Sequence, residues 1–118
     1  MPVSDDALVV DRLVHEPGRL AIMTLLSSVT DADFVFLQRA TGLTKGNLSS
    51  HLSKLEAAGL VEIEKRFDHR KPNTKVSLTA LGRERIERHW DQLESIRSLA
   101  HAPADESPVP PAPVPATT

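Results

Sequence analysis

The stretch from Thr44 to Val61 constrains this chain more than any other. Thr44 is a good helix N-cap, since its hydroxyl accepts an otherwise orphaned amide of the first turn. Gly59 stands where a helix would end in a left-handed residue. Between them Leu48, Leu52 and Leu55 fall at i, i+4 and i+7, one narrow apolar stripe. The opposite face of such a helix carries Gly46, Asn47, Ser50, Ser53, Lys54 and Ala57, with Glu56 to the side. An ordinary solvated face would look like this. So would a surface built to approach a base edge closely.

The flanking segments bear on that choice. Upstream, Asp33 to Leu43 reads as a short helix closed by Gly42. Two short helices joined by a tight glycine-containing turn form a helix-turn-helix unit, whose second helix enters the major groove of DNA. Downstream, Leu60 to Glu64 alternates apolar and polar and reads as a strand. Asp68-His69-Arg70-Lys71-Pro72-Asn73 is turn chemistry, and Thr74 to Leu78 alternates again. The result is a hairpin whose tip holds Lys65, Arg66, Arg70, Lys71 and Lys75 against one acid, Asp68. A basic hairpin directly after a helix-turn-helix is a wing.

A formal net charge of −2 argues against nucleic acid only until it is divided along the chain. Residues 1–38 hold two basic and six acidic residues; residues 39–89 hold eleven and six; residues 90–118 hold one and four. The positive stretch coincides with the helix-turn-helix and wing, and phosphate binding needs local charge rather than a basic average. The acidic ends, including Asp5, Asp6 and Asp11, would limit loose non-specific binding. There is no cysteine, which excludes disulfides and thiolate metal sites. No apolar run approaches the ~20 residues of a membrane span. The first residues lack a secretory leader, so a cytoplasmic location is expected.

Taken in order, Ser4 caps a first helix of about residues 5–14, with Leu8, Val9, Leu13 and Val14 as core candidates. A second helix opens with Pro17 at its first position, where a missing amide costs nothing. Leu20, Ile22, Met23, Leu25 and Leu26 make it apolar nearly all round, the mark of a central core helix. Around Asp33 two readings compete. Asp33 is the better cap, but Phe34 as a strand residue, adding a short third strand to the wing sheet, would delay the helix to about Val35. Thr79 caps a final helix running to about Ala100, roughly 30 Å long. Ile86, Trp90, Leu93, Ile96 and Ala100 form its stripe. Residues 1–101 are expected to form one domain. Residues 102–118, with six prolines and two acids, read as a disordered polyproline-like tail.

The stretch Gly46-Asn47-Leu48-Ser49-Ser50-His51-Leu52-Ser53-Lys54-Leu55-Glu56, followed by Gly59-Leu60-Val61, resembles the MarR- and ArsR-type winged-helix transcriptional regulators, most closely their small single-domain subgroup. His15-Glu16-Pro17 with Arg19-Leu20, Glu64-Lys65-Arg66-Phe67, and Leu78-Thr79 with Gly82-Arg83 are further markers. The resemblance covers roughly residues 8–95. It implies a mainly α fold with a small β-hairpin wing (α+β): a winged helix-turn-helix with terminal dimerisation helices. The implied function is sequence-specific binding of double-stranded DNA by a transcriptional regulator, a repressor in the favoured reading. In such families the terminal helices pair across a two-fold. A homodimer through helix 80–100 and helix 5–14 would use Leu8, Trp90, Leu93, Ile96 and Ala100. The alternative is that the last helix folds back on its own domain.

On this reading the recognition helix spans 45–58 and the wing 65–75. Asn47, Ser49, Ser50, Ser53 and Lys54 face the major groove, and Lys45 holds phosphate. Arg66, Arg70 and Lys71 grip the backbone or enter the minor groove. The two-fold sets recognition helices about 34–36 Å apart, matching an inverted repeat. A winged-helix protein-interaction module without DNA binding is the other reading, because fold alone does not decide function. No cofactor or metal is expected: His51 reads as a half-buried structural residue, His15 as closing local backbone bonds, His69 as a phosphate contact, and His89 with Glu94 lacks ligand spacing. No catalytic constellation or phosphate loop is present. An effector would sit near Trp90, where few polar groups are expected to converge.

Overall fold

A computed structural model describes residues 11–101. Among these the order is α1 (Pro17–Leu26), β1 (Ala32–Asp33), α2 (Phe34–Thr41), α3 (Lys45–Ala57), β2 (Val61–Asp68), β3 (Lys71–Leu78) and α4 (Ala80–Ser98), ending in a 3₁₀ turn at Leu99–His101. The three strands form one antiparallel sheet in the order β1-β3-β2. Leu8, Val9 and the tail 102–118 lie outside the described residues.

Local chemistry explains where each helix begins and ends. Pro17 occupies the first turn of α1, and the Glu16 carboxylate accepts from Arg19 N at 2.8 Å. The same carboxylate therefore sits below the usual glutamate range, held there first by that amide. Thr44 accepts from Asn47 N at 3.1 Å to start α3. Gly42 ends α2 at φ 74°. After α3, Gly59 takes φ 78°. Gly59 N then donates to Glu56 O and Leu60 N to Leu55 O, each at 2.9 Å, a Schellman closure. That closure turns the chain straight into β2.

The predicted third strand is real but ends one residue early. Ala32 and Asp33 pair with Val76 and Lys75, and Asp33 also caps α2 by accepting from Phe36 N at 2.7 Å. Phe34 is therefore the first helical residue, not a strand residue. The helix predicted over 5–14 does not run through its last residues. Asp11 Oδ1 accepts from Leu13 N and Val14 N, so residues 11–15 form a separate turn.

The core lies between α1, the helix-turn-helix pair and the base of the sheet. Ile22, Met23 and Leu26 of α1 meet Leu37, Leu48, Leu52 and Leu55, with Leu60, Val76 and Ile86 closing the far side. Leu20 and Leu25 pack only at its margin, so α1 buries one broad face. The corner where α3, β2 and α4 meet is tied by Thr79: its amide donates to Leu60 O, its hydroxyl to Gly59 O, and the same oxygen accepts from Gly82 N. A Cβ on Gly82 would lie 2.1 Å from Leu60 O, so only glycine fits there.

The segment before α1 is clamped to α4. Arg85 Nε donates to Asp11 Oδ2 at 2.6 Å, and Asp11 N donates to Gln92 Oε1 at 3.1 Å. His15 Nδ1 lies 3.2 Å from His89 Nε2, and His89 is fully buried. His15, read from the sequence as closing local backbone bonds, thus also meets His89 across the fold through its ring. Burial, then the neighbouring His15, pushes the His89 imidazole below the ordinary histidine value. Burial works to raise Asp11, but Arg85 and the amides of Val14 and Leu13 outweigh it and leave the carboxyl low. Asp11 is a structural acid, not a free one.

Candidate nucleic-acid interface

Helix α3 buries Leu48, Leu52 and Leu55 and turns every other side chain outward except His51 and Ala58 beside it. At 100° per residue the outward residues divide into three rows. Ser50, Ser53 and Gly46 stand opposite the leucines. Lys45, Ser49 and Glu56 flank them on one side, Asn47 and Lys54 on the other. The first flank meets the wing: Lys45, Ser49, Ser53, Lys65, Asn73 and Thr74 share the walls of a groove of about 670 Å³ between α3 and the hairpin. Glu56 also lines it, so the acid set aside at the sequence level stands among these cations and hydroxyls.

The rear of α3 is held at its middle. His51 packs on Gly18, where an added Cβ would lie 2.7 Å from His51 Nε2. Its ring nitrogens lie 3.3 Å from the Arg19 guanidinium and 3.7 Å from the Glu16 carboxylate. The structural role expected for His51 follows from these contacts: it fixes how far α3 stands off α1.

The wing is longer and tighter than its sequence suggested. Asp68 pairs with Lys71, leaving only His69 and Arg70 in the turn, at φ 52° and 69°. Two positive φ values define a type I′ hairpin turn, which normally takes Asn-Gly. The stretch read as a six-residue turn is therefore mostly strand. Pro72 lies within β3, opposite Phe67. The closing pair of a two-residue hairpin is hydrogen-bonded, so the next pair is not. Pro72's missing amide points to the outer edge of β3, which β1 reaches only at Lys75 and Val76.

Register sorts the wing cations. Lys65 lies on the same face as Ile63 and looks into the groove. Arg66 lies on the other face, donating to Glu64 at 2.7 Å with Asp31 at 3.9 Å. Its charge is largely spent within the fold, so the structure does not bring it to the groove. Lys45, Lys54, Lys65, Arg70 and Lys71 are exposed. Among the described residues none has a carboxylate within ion-pair distance. The result is a rim of unpaired positive charge along α3 and the hairpin, with small hydrogen-bonding side chains between. Arg83 is not part of it, since it donates to Ser27 O and Val29 O.

A family model described as a winged helix DNA-binding domain matches residues 19–97. The chain belongs to that family. An uncharacterized protein of Methanocaldococcus jannaschii is 37% identical over 72 residues, covering 61% of this chain and 78% of its own length. The structure of a transcriptional regulator homologue from Pyrococcus horikoshii OT3 matches with a TM-score of 0.72 and 33% identity, over 80% of this chain and 92% of that one. A MarR-family transcriptional regulator from Silicibacter pomeroyi shares the fold, with a TM-score of 0.59 and 21% identity over 85% of this chain and 63% of that one. The winged-helix fold read from the sequence is thus found, and a MarR-family regulator shares it. This winged-helix protein is a DNA-binding regulator and not an enzyme. Among the described residues no helix is long and apolar enough to cross a membrane.

Proposed function

We propose that this winged-helix protein is a cytoplasmic repressor that binds an inverted repeat in double-stranded DNA as a homodimer. The observation that carries the reading is the groove between α3 and the wing, edged by Lys45, Ser49, Ser53 and Lys65 and rimmed by unpaired cations. Helix α3 lies in the major groove. Ser50, Ser53 and Asn47 reach base edges, with Ser49 and Lys54 beside them. Lys45 and Lys65 hold the phosphates that run between helix and hairpin, and Arg70 and Lys71 hold those at the tip. Arg66 serves the wing's own structure. A dimer occupying two successive major grooves represses by occupancy alone.

Dimer contacts are assigned to Leu93 and Ile96, which stay half-exposed on α4, with Trp90 and Ala100 on the same helix. Trp90 already packs partly on its own core and contributes its outer edge only. Selection from a random duplex library tests the whole arrangement. It should enrich an inverted repeat whose half-site centres lie about 10–10.5 bp apart, or a multiple of that. Enrichment of isolated half-sites, or of nothing, would contradict the two-fold reading.

A further inference from the structure

Alternation along β2 puts Val61, Ile63, Lys65 and Phe67 on one face, opposite Leu78, Val76, Thr74 and Pro72 of β3. The character of this face changes along its length. At the base it is core, with Val61 and Val76 buried. In the middle Ile63, Lys65 and Thr74 form the groove wall beside α3. At the end stands Phe67, 79% exposed, the most exposed large hydrophobic side chain of the described residues.

Phe67 shares a hollow of about 380 Å³ with Arg66, Asp68, Asn73 and Lys75; across the ladder its partner is Pro72. The two form a non-hydrogen-bonded pair, the geometry in which cross-strand side chains come closest. Together they present an apolar knob on a narrow two-stranded ribbon. The exposed cations about it are Lys65 on the same face and Arg70 and Lys71 at the tip, none with a carboxylate within ion-pair distance among the described residues; Arg66 and Lys75 lie on the other face with Glu64. An apolar knob flanked by cations fits a partner with apolar walls and anionic rims. The minor groove of DNA has that form, with deoxyribose walls between two phosphate rows, and apolar side chains are used to enter it.

We propose that Phe67, backed by Pro72, inserts into the minor groove next to the major groove that α3 occupies, packing on sugars and base edges while Arg70 and Lys71 hold the flanking phosphates. The assignment rests on the DNA-binding reading and extends it to a residue that carries no charge. It makes the wing sensitive to minor-groove shape and to deformable pyrimidine–purine steps.

The test compares wild type, Phe67→Ala and Lys71→Ala on one duplex by fluorescence anisotropy across a salt series. Phe67→Ala should weaken binding roughly tenfold at every salt concentration, because apolar contact is lost. Its log–log salt slope should stay parallel to wild type, because no counterion is released at that position. Lys71→Ala should instead flatten the slope by about 1.8 for a bound dimer, about 0.9 for each protomer. Phe67→Trp should gain protection from acrylamide quenching when duplex is added, beyond any change at Trp90, the single native tryptophan. Unchanged melting of Phe67→Ala would show that the fold is intact. Binding unchanged in Phe67→Ala but weakened in Lys71→Ala would overturn the insertion and leave the DNA-binding reading standing. Loss of self-association in Phe67→Ala with DNA affinity intact would overturn it in favour of a contact between copies. Failure of wild type to bind any duplex would remove both.

Discussion

The His69–Arg70 turn sets backbone strain against charge, and the two can be separated. Both residues sit in the left-handed region, at φ 52° and 69°, where a residue with a Cβ loses roughly 1–2 kcal/mol. Glycine avoids that loss but gives back about 0.5–1 kcal/mol through its greater freedom when unfolded. Arg70→Gly should therefore stabilise the fold by about 0.5–1 kcal/mol. For a domain this small that raises the melting temperature by roughly 2–8 °C. The same substitution removes an unpaired cation from the wing tip, so DNA affinity should fall and the salt slope flatten by about 1.8 for a bound dimer, about 0.9 for each protomer. Arg70→Ala is the control, since it loses the charge and keeps the strain. Circular-dichroism melts and anisotropy titrations on the three proteins suffice. Stability and binding should move in opposite directions in Arg70→Gly, while Arg70→Ala loses binding without gaining stability. If Arg70→Gly melts at or below wild type, the turn is not strained. If it binds DNA as wild type does, the arginine is not held there for phosphate.

Three further outcomes follow from the packing. Gly82→Ala should cost about 3 kcal/mol, because its Cβ would meet the Leu60 carbonyl; urea unfolding that shows less than 1 kcal/mol would mean the corner yields easily. The melting temperature should fall as pH drops from about 7.5 towards 5.5. His89 has its folded value lowered, so its contribution is whole above the unfolded value near 6.5 and is lost as pH falls towards and through the folded one. His89→Gln should flatten that part of the curve, whereas Asp11 contributes in a separate window at lower, carboxylate pH. If the proposed homodimer forms through α4, Leu93→Glu with Ile96→Glu should convert it to monomer in sedimentation velocity and weaken operator binding, with the monomer's own fold retained; a wild-type monomer, or a dimer unchanged by the substitutions, would contradict that interface.

What was legible in the sequence is what short-range chemistry decides. Thr44, Gly42, Gly59 and Pro17 act on amides and carbonyls within a few residues of themselves, so each helix boundary they set could be read directly. Asp33 shows the limit. Its capping and its pairing with Lys75 compete in the same residue, and only the position of β3 settles that strand pairing ends there. The hairpin tip was misjudged because His69-Arg70 carries none of the glycine or asparagine that a type I′ turn usually announces. Pro72 then looked like turn chemistry when its ring is tolerated on an open strand edge. Arg66 and Lys65 are neighbours in sequence but lie on opposite faces, so one pairs with Glu64 and the other meets the groove. The His15–His89 contact spans 74 positions, beyond anything periodicity reports. Phe67 was visible as a marker residue, but its exposure depends on where the core stops.

Salt-dependent binding decides whether α3 and the wing read DNA sequence. Anisotropy titrations would compare the duplex upstream of the protein's own gene with a scrambled duplex of the same length. A sequence-reading protein should prefer the upstream duplex roughly 10³-fold or more at physiological salt, with affinity falling steeply as salt rises on both. Equal affinity for this pair and for any duplex selected from a random library, or no binding to either at low salt, would contradict that reading.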